Sequence, residues 1–90
     1  MEQKRDIKIV NKLGMHARAA AKFVRLASSF SCDIDIEKDS RRVNAKSIMG
    51  VMMLAAGKGS TITIYAKGND ALDSLDALED LINNRFDEDE

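Results

Sequence analysis

Residues 60–83 read STITIYAK-GND-ALDSLDALEDLIN, and this stretch decides the fold. Ile62, Ile64 and Ala66 alternate with Thr61, Thr63 and Tyr65, the period-two pattern of a strand with one buried face, so a strand is expected over Ser60–Lys67. Gly68-Asn69-Asp70 forms a turn and supplies a residue suited to cap a helix. Leu72, Leu75, Leu78 or Glu79, and Ile82 then return at helical spacing, with Ala71 and Leu81 completing the apolar stripe to about Asn83.

The same two periods recur elsewhere in the chain. Ile7 and Ile9 alternate with charged neighbours in Asp6–Asn11, a half-buried strand. Asn11-Lys12-Leu13-Gly14 reads as a loop. In Ala17–Ser28 the residues Ala20, Val24 and Ala27, with Phe23 beside them, mark a helix. Cys32, Ile34 and Ile36 share one face of a second strand, Lys38-Asp39-Ser40 turns the chain, and Arg41–Ala45 returns as a short strand. Ser47 caps a short helix over Ile48–Leu54, which Gly57-Lys58-Gly59 ends. The order β-α-β-β-α-β-α, with strands apolar on one side only, predicts an α+β fold. Its sheet is antiparallel, with helices on one face and water on the other.

At 90 residues the chain is expected to form a single domain over 1–90, with its core within about 5–85. A chain of this size buries about 60–65% of its unfolded surface, a small but sufficient core. Apolar residues at 44% and charged residues at 32% suit a soluble globular protein, and a net charge of −1 lacks the basic excess of a nucleic-acid binder. The single cysteine, Cys32, excludes an internal disulfide and fits a reducing compartment. No apolar run approaches a membrane span, and the MEQKRD start has no apolar signal core, so a cytoplasmic location is expected. The acidic residues 87–90 read as a solvated, frayed tail.

The chemically informative segment is Leu13-Gly14-Met15-His16-Ala17-Arg18. The only histidine stands between a glycine-containing loop and a helix start. The first N–H groups of a helix lack internal partners and carry partial positive charge, so an anion on the imidazole would meet the amides near Ala17 and Arg18. Arg18 adds a guanidinium suited to phosphate oxygens. Neutral imidazole offers a lone pair at physiological pH, and a phosphoryl group bonded to nitrogen keeps a high transfer potential. Taken alone, a histidine at a helix start is more often a plain cap or surface residue. One histidine and one cysteine do not make a metal site, and no Ser-His-Asp arrangement is visible; neither metal nor cofactor is expected.

The segment GMHARAAAKFV resembles the phosphorylation site of the HPr family of histidine-containing phosphocarriers. NAKSIMGVMML resembles that family's second signature, and AKGNDALDSLDALEDLI its last strand, turn and helix. The resemblance covers about residues 5–85. It implies an open-faced β-sandwich of four antiparallel strands with three helices on one face. It further implies that His16 takes phosphoryl at Nδ1 from Enzyme I, itself charged from phosphoenolpyruvate, and passes it to IIA-type acceptors. Arg18 matches the active-site arginine. Ser47 matches a serine phosphorylated for regulation in some bacteria by a dedicated kinase. Ile48, Met49, Met52 and Met53 lie where the family presents its apolar docking surface. The chain would then be a monomeric phosphotransfer intermediate, without turnover of its own. The family's usual proline after the arginine is Ala19 here, which restores an N–H and keeps helix propensity. The 11–18 segment and the ending Phe86-Asp87-Glu88-Asp89 resemble nitrogen-branch carriers, whereas Lys46–Met52 resembles sugar-branch carriers under serine control. The alternative is a regulatory binding domain that uses the same docking face without phosphoryl transfer.

Five methionines occur, three of them at 49, 52 and 53. The helix they share is apolar nearly all round, more than packing on a sheet requires. The methionines either fill core gaps or form an adaptable surface for several partners. Ser47 suits an N-cap with or without a kinase.

Overall fold

The computed structural model describes residues 1–89; Glu90, the end of the acidic tail, lies outside the described residues. The elements follow as β1 (Glu2–Lys8), α1 (Ala17–Ser28), β2 (Asp33–Lys38), β3 (Arg41–Asn44), α2 (Ile48–Met53), β4 (Thr61–Lys67), α3 (Ala71–Asn83) and a final single turn, Arg85–Asp87. The four strands form one antiparallel sheet in the order β1-β4-β2-β3. The 60–67 strand therefore sits inside the sheet, between β1 and β2. The α+β open-faced sandwich expected from the sequence is the observed architecture.

The alternating isoleucines explain why one face is covered. Ile7, Ile34, Ile36, Ile62, Ile64 and Ala66 are buried against Ala19, Ala20, Phe23 and Ala27 of α1 and Ala71, Leu75, Leu78 and Ile82 of α3. Truncating a fully buried leucine such as Leu78 removes about 2–5 kcal/mol of stability. Cys32 joins this core; its thiol donates to Ser74 Oγ at 3.4 Å, and burial pushes it above the ordinary thiol value, which suits an inert structural cysteine. The open face is polar. Arg42 lies over the Tyr65 ring at 3.7 Å and pairs with Asp35 and Glu2, so one guanidinium spans from the β3 edge towards β1.

Four details depart from the sequence reading. The first strand begins at Glu2 rather than Asp6, because all seven residues from Glu2 to Lys8 find partners along β4, from Glu2 opposite Lys67 to Lys8 opposite Thr61. Asn11 has left that strand and is fully buried. Leu72 is 56% exposed, because α3 turns Ala71, Leu75, Leu78 and Ile82 to the sheet. Asp70 precedes α3 without capping it: its carboxylate accepts from the Ser31 and Cys32 amides at 2.8 and 2.9 Å instead, and the first of these holds it below the ordinary carboxylate value.

The chain end is the largest departure. Residues 85–89 fold back as a strap. Phe86 is fully buried, and its carbonyl accepts from Lys22 Nζ of α1 at 2.7 Å. Arg85, Phe86 and Asp87 have φ of 57, 54 and 63°, all left-handed. That conformation costs about 1–2 kcal/mol for each non-glycine residue. Burying the Phe86 ring contributes about 1.5–3 kcal/mol in the opposite direction. The described part of the acidic tail is thus anchored at its base, against the frayed tail expected. Strand pairing reaches back to Glu2, and the buried Phe86 lies just after residue 85.

Candidate functional site: an open helix start beside an anchored chain end

The loop ahead of α1 is shaped by Gly14, whose φ is +66°. A Cβ at this position would stand 2.5 Å from the Ala56 carbonyl oxygen and 2.7 Å from Gly57 Cα, so only glycine fits between this loop and the one after α2. The next residue, Met15, is buried and donates its N–H to Ala56 O at 2.8 Å. Asn11 braces the same loop from inside, donating from Nδ2 to Gly14 O at 2.8 Å. These contacts deliver His16 to the N-cap position of α1.

His16 has extended backbone, φ −72° and ψ 177°, and makes no side-chain cap. The first helical bond runs from Ala20 N–H to His16 O at 2.8 Å. Among the described residues, the N–H groups of Ala17, Arg18 and Ala19 donate to no protein acceptor. The amides of the exposed Ala17 and Arg18, at the positive end of a 12-residue helix, therefore meet solvent beside the imidazole, while that of Ala19 lies unpaired beneath them. Ala19 itself is fully buried, and the helix starts at Ala17 without the proline.

The imidazole is partly exposed. Its Nε2 lies 3.1 and 2.9 Å from the two carboxylate oxygens of Glu88, whose side chain is 17% exposed. Asn11 Nδ2 also reaches Glu88 at 3.4 Å. The His16 hydrogen bond, with help from Asn11 and the Arg18 charge, holds the Glu88 carboxyl below its ordinary value. The exposed Arg18 lines the open hollow here, together with Lys12, Lys22, Asp87 and Asp89. The sequence reading brought His16, Ala17 and Arg18 together, and so does the structure. It missed Glu88 and Asn11. The one available signal was Phe86, an aromatic residue beyond the last helical stripe that needed somewhere to be buried.

Ser47 occupies the N-cap of α2, where its exposed hydroxyl accepts from Gly50 N–H at 3.2 Å. Of the helix that follows, Val51 and Leu54 are buried, while Ile48, Met49, Met52 and Met53 are 42, 73, 43 and 63% exposed. None of the three α2 methionines is core filling. Leu13, in the His16 loop, adds 66% exposure to the apolar surface and had no assigned part in the sequence reading.

The family model for the phosphorylation site of the HPr component of the PTS, the phosphotransferase system, matches residues 3–84. The chain belongs to the HPr family. It is 55% identical to the phosphocarrier protein HPr of Cupriavidus necator over 86 residues, covering 96% of this chain and 97% of that one. It is also 46% identical to the phosphocarrier protein NPr of Shewanella violacea, covering 93% and 92%. Among solved structures, an HPr from Thermoanaerobacter tengcongensis matches with a TM-score of 0.94 and 46% identity over 98% of this chain and 99% of that one; a dimer of HPr from the same organism matches at 0.78, with 50% identity over 91% and 94%. As an HPr-family member the chain has the general role of a PTS phosphocarrier. Among the described residues no helix is long and apolar enough to cross a membrane.

Proposed function

We propose that this HPr-family carrier accepts phosphoryl on Nδ1 of His16 from Enzyme I charged by phosphoenolpyruvate, and donates it to IIA-type acceptors in the cytoplasm. The observation that carries this reading is a partly exposed imidazole at the N-cap of α1, next to three amides without protein acceptors. A dianionic group on the ring meets those N–H groups and the helix dipole, while Arg18 supplies a charged donor from the first turn. The exposed Ile48, Met49, Met52 and Met53 give successive partners a deformable apolar contact, and the carrier works on them as a monomer.

The test is incubation with Enzyme I and phosphoenolpyruvate. An acid-labile, base-stable adduct is expected in the wild type and none in His16→Ala. An adduct persisting in that variant would remove His16 as the acceptor. No wild-type adduct, with Enzyme I binding intact, would favour a regulatory binding domain instead.

The exposed Ser47 hydroxyl at the edge of the apolar patch supports a second element of this reading, regulation by phosphorylation from a serine kinase. A phosphate there would place a dianion beside the docking methionines. Ser47→Asp is expected to slow transfer from Enzyme I or to an acceptor; unchanged rates with every partner would count against it.

A further inference from the structure

Glu88 reaches His16 across 72 residues of sequence, and several independent contacts hold it there. The strap that carries it is pinned by the buried Phe86 ring and by the bond from Lys22 Nζ to the Phe86 carbonyl. Three consecutive left-handed residues turn the chain so that the next side chain faces the imidazole. Strain retained over a defined set of contacts is a reason to look for function at that point. Asn11, fully buried, donates from the same Nδ2 atom both to the loop that sets His16 and to Glu88. Both polar contacts of the imidazole fall on Nε2; Nδ1 has no hydrogen-bond partner among the described residues.

We propose that Glu88 is the positioning residue of the phosphoryl-accepting histidine. This role rests on the carrier reading above. The carboxylate accepts from Nε2–H, which fixes the tautomer and leaves the lone pair on Nδ1. As transfer proceeds, that lone pair forms the Nδ1–P bond while the donor's bond to phosphorus breaks, its electron pair leaving with the donor atom. The Nε2 proton stays in place, so the ring gains positive charge. The Glu88 carboxylate stabilises that charge from the side of the ring away from the phosphoryl group. Discharge to an acceptor runs the same steps backward: the Nδ1–P electron pair returns to Nδ1, and the ring is neutral again with its proton still on Nε2. The arrangement divides the imidazole between two ends of the chain. The α1 amides and Arg18 serve the incoming anion, and Glu88 serves the ring that carries it. Lys12, Lys22, Asp87 and Asp89 line the same hollow and set its net field, while the ring's hydrogen-bonded contacts run to Glu88.

The test compares full-length wild type, Glu88→Ala and Glu88→Gln as substrates of a fixed amount of Enzyme I, in initial rates of phosphoryl uptake at varied carrier concentration, with nitrogen-15 spectra of the His16 ring. Glu88→Ala is expected to lower the kcat of Enzyme I on the carrier about tenfold or more, because an unheld ring samples misaligned orientations, with the KM for the carrier unchanged. Glu88→Gln keeps an acceptor oxygen without the charge and should fall between the two. The ring spectrum should report a fixed Nε2–H in wild type and tautomer averaging in Glu88→Ala, which a general loosening of the tail would not mimic in a protein whose amide spectrum is otherwise unchanged. An unaltered kcat in Glu88→Ala would overturn the positioning role while leaving the carrier reading intact. So would a rise in KM alone, which would make Glu88 a docking residue. A wild type that takes no phosphoryl group would overturn the carrier reading, and this role with it.

Discussion

The starts of α1 and α2 differ in what they do with their amides. Each follows a polar residue in extended backbone, His16 at one and Ser47 at the other. Ser47 turns its hydroxyl inward and closes its own helix, accepting from Gly50 N–H. His16 turns its ring away to Glu88, and the amides of α1 stay open. A helix end can be used for stability or for binding, and the same position in two helices of one small domain serves one use each. The open end needs outside support, which comes from the Gly14 turn, the buried Asn11 and the strap at residues 85–89. The closed end needs only its own serine.

Breaking the support of the open end should have the largest effect. Gly14→Ala puts a Cβ 2.5 Å from a carbonyl oxygen at a backbone φ of +66°, so both the turn and the loop after α2 must move. A loss of about 2–4 kcal/mol in denaturant unfolding is expected, from strain and overpacking together, along with slowed phosphoryl uptake. Ser47→Ala sharpens the contrast. It should cost about 1 kcal/mol, the usual value of a lost cap, with phosphoryl uptake at His16 unchanged. A large loss of uptake in this variant would mean that the two helix starts are coupled rather than separate devices.

The smallest effect is expected from acid. The His16 hydrogen bond holds the Glu88 carboxyl below its ordinary value of 4.5, so the folded state binds this proton less readily than the unfolded chain does. The contribution is therefore complete above the ordinary value and is lost as pH falls through the lower folded value. Wild type should be more stable than Glu88→Gln at neutral pH, and the gap should narrow on acidification below about pH 4.5. A gap that widened below that pH would contradict the contact.

Much of this was legible in the sequence, because alternation and helical spacing report burial directly. Ile62, Ile64 and Ala66 marked the sheet's covered face, and Phe23 with Ala20 and Ala27 marked the covering helix. The beginning of β1 was not legible, since Glu2, Lys4 and Asp6 are exposed, charged residues whose strand pairing comes from β4. Leu72 misled because leucine in an amphipathic helix normally faces the core, and here it faces solvent. The strap was hidden for a different reason. Its left-handed turn contains no glycine to announce it, and what holds it, Lys22, Asn11 and His16, lies 64 to 77 residues away in the chain. In the site, His16 and Arg18 could be read because the chemistry of a helix start is local. Glu88 could not, because its part depends on where the chain end returns.

On the proposed function, the uncapped amides of α1 receive the phosphoryl group carried by His16. Backbone amide NMR spectra recorded before and after charging with Enzyme I and phosphoenolpyruvate test it most directly. Large downfield shifts of the Ala17 and Arg18 N–H resonances are expected, with Gly50 N–H, already bonded to Ser47, nearly unmoved. A phosphorylated protein in which the α1 amides stay where they were would contradict it.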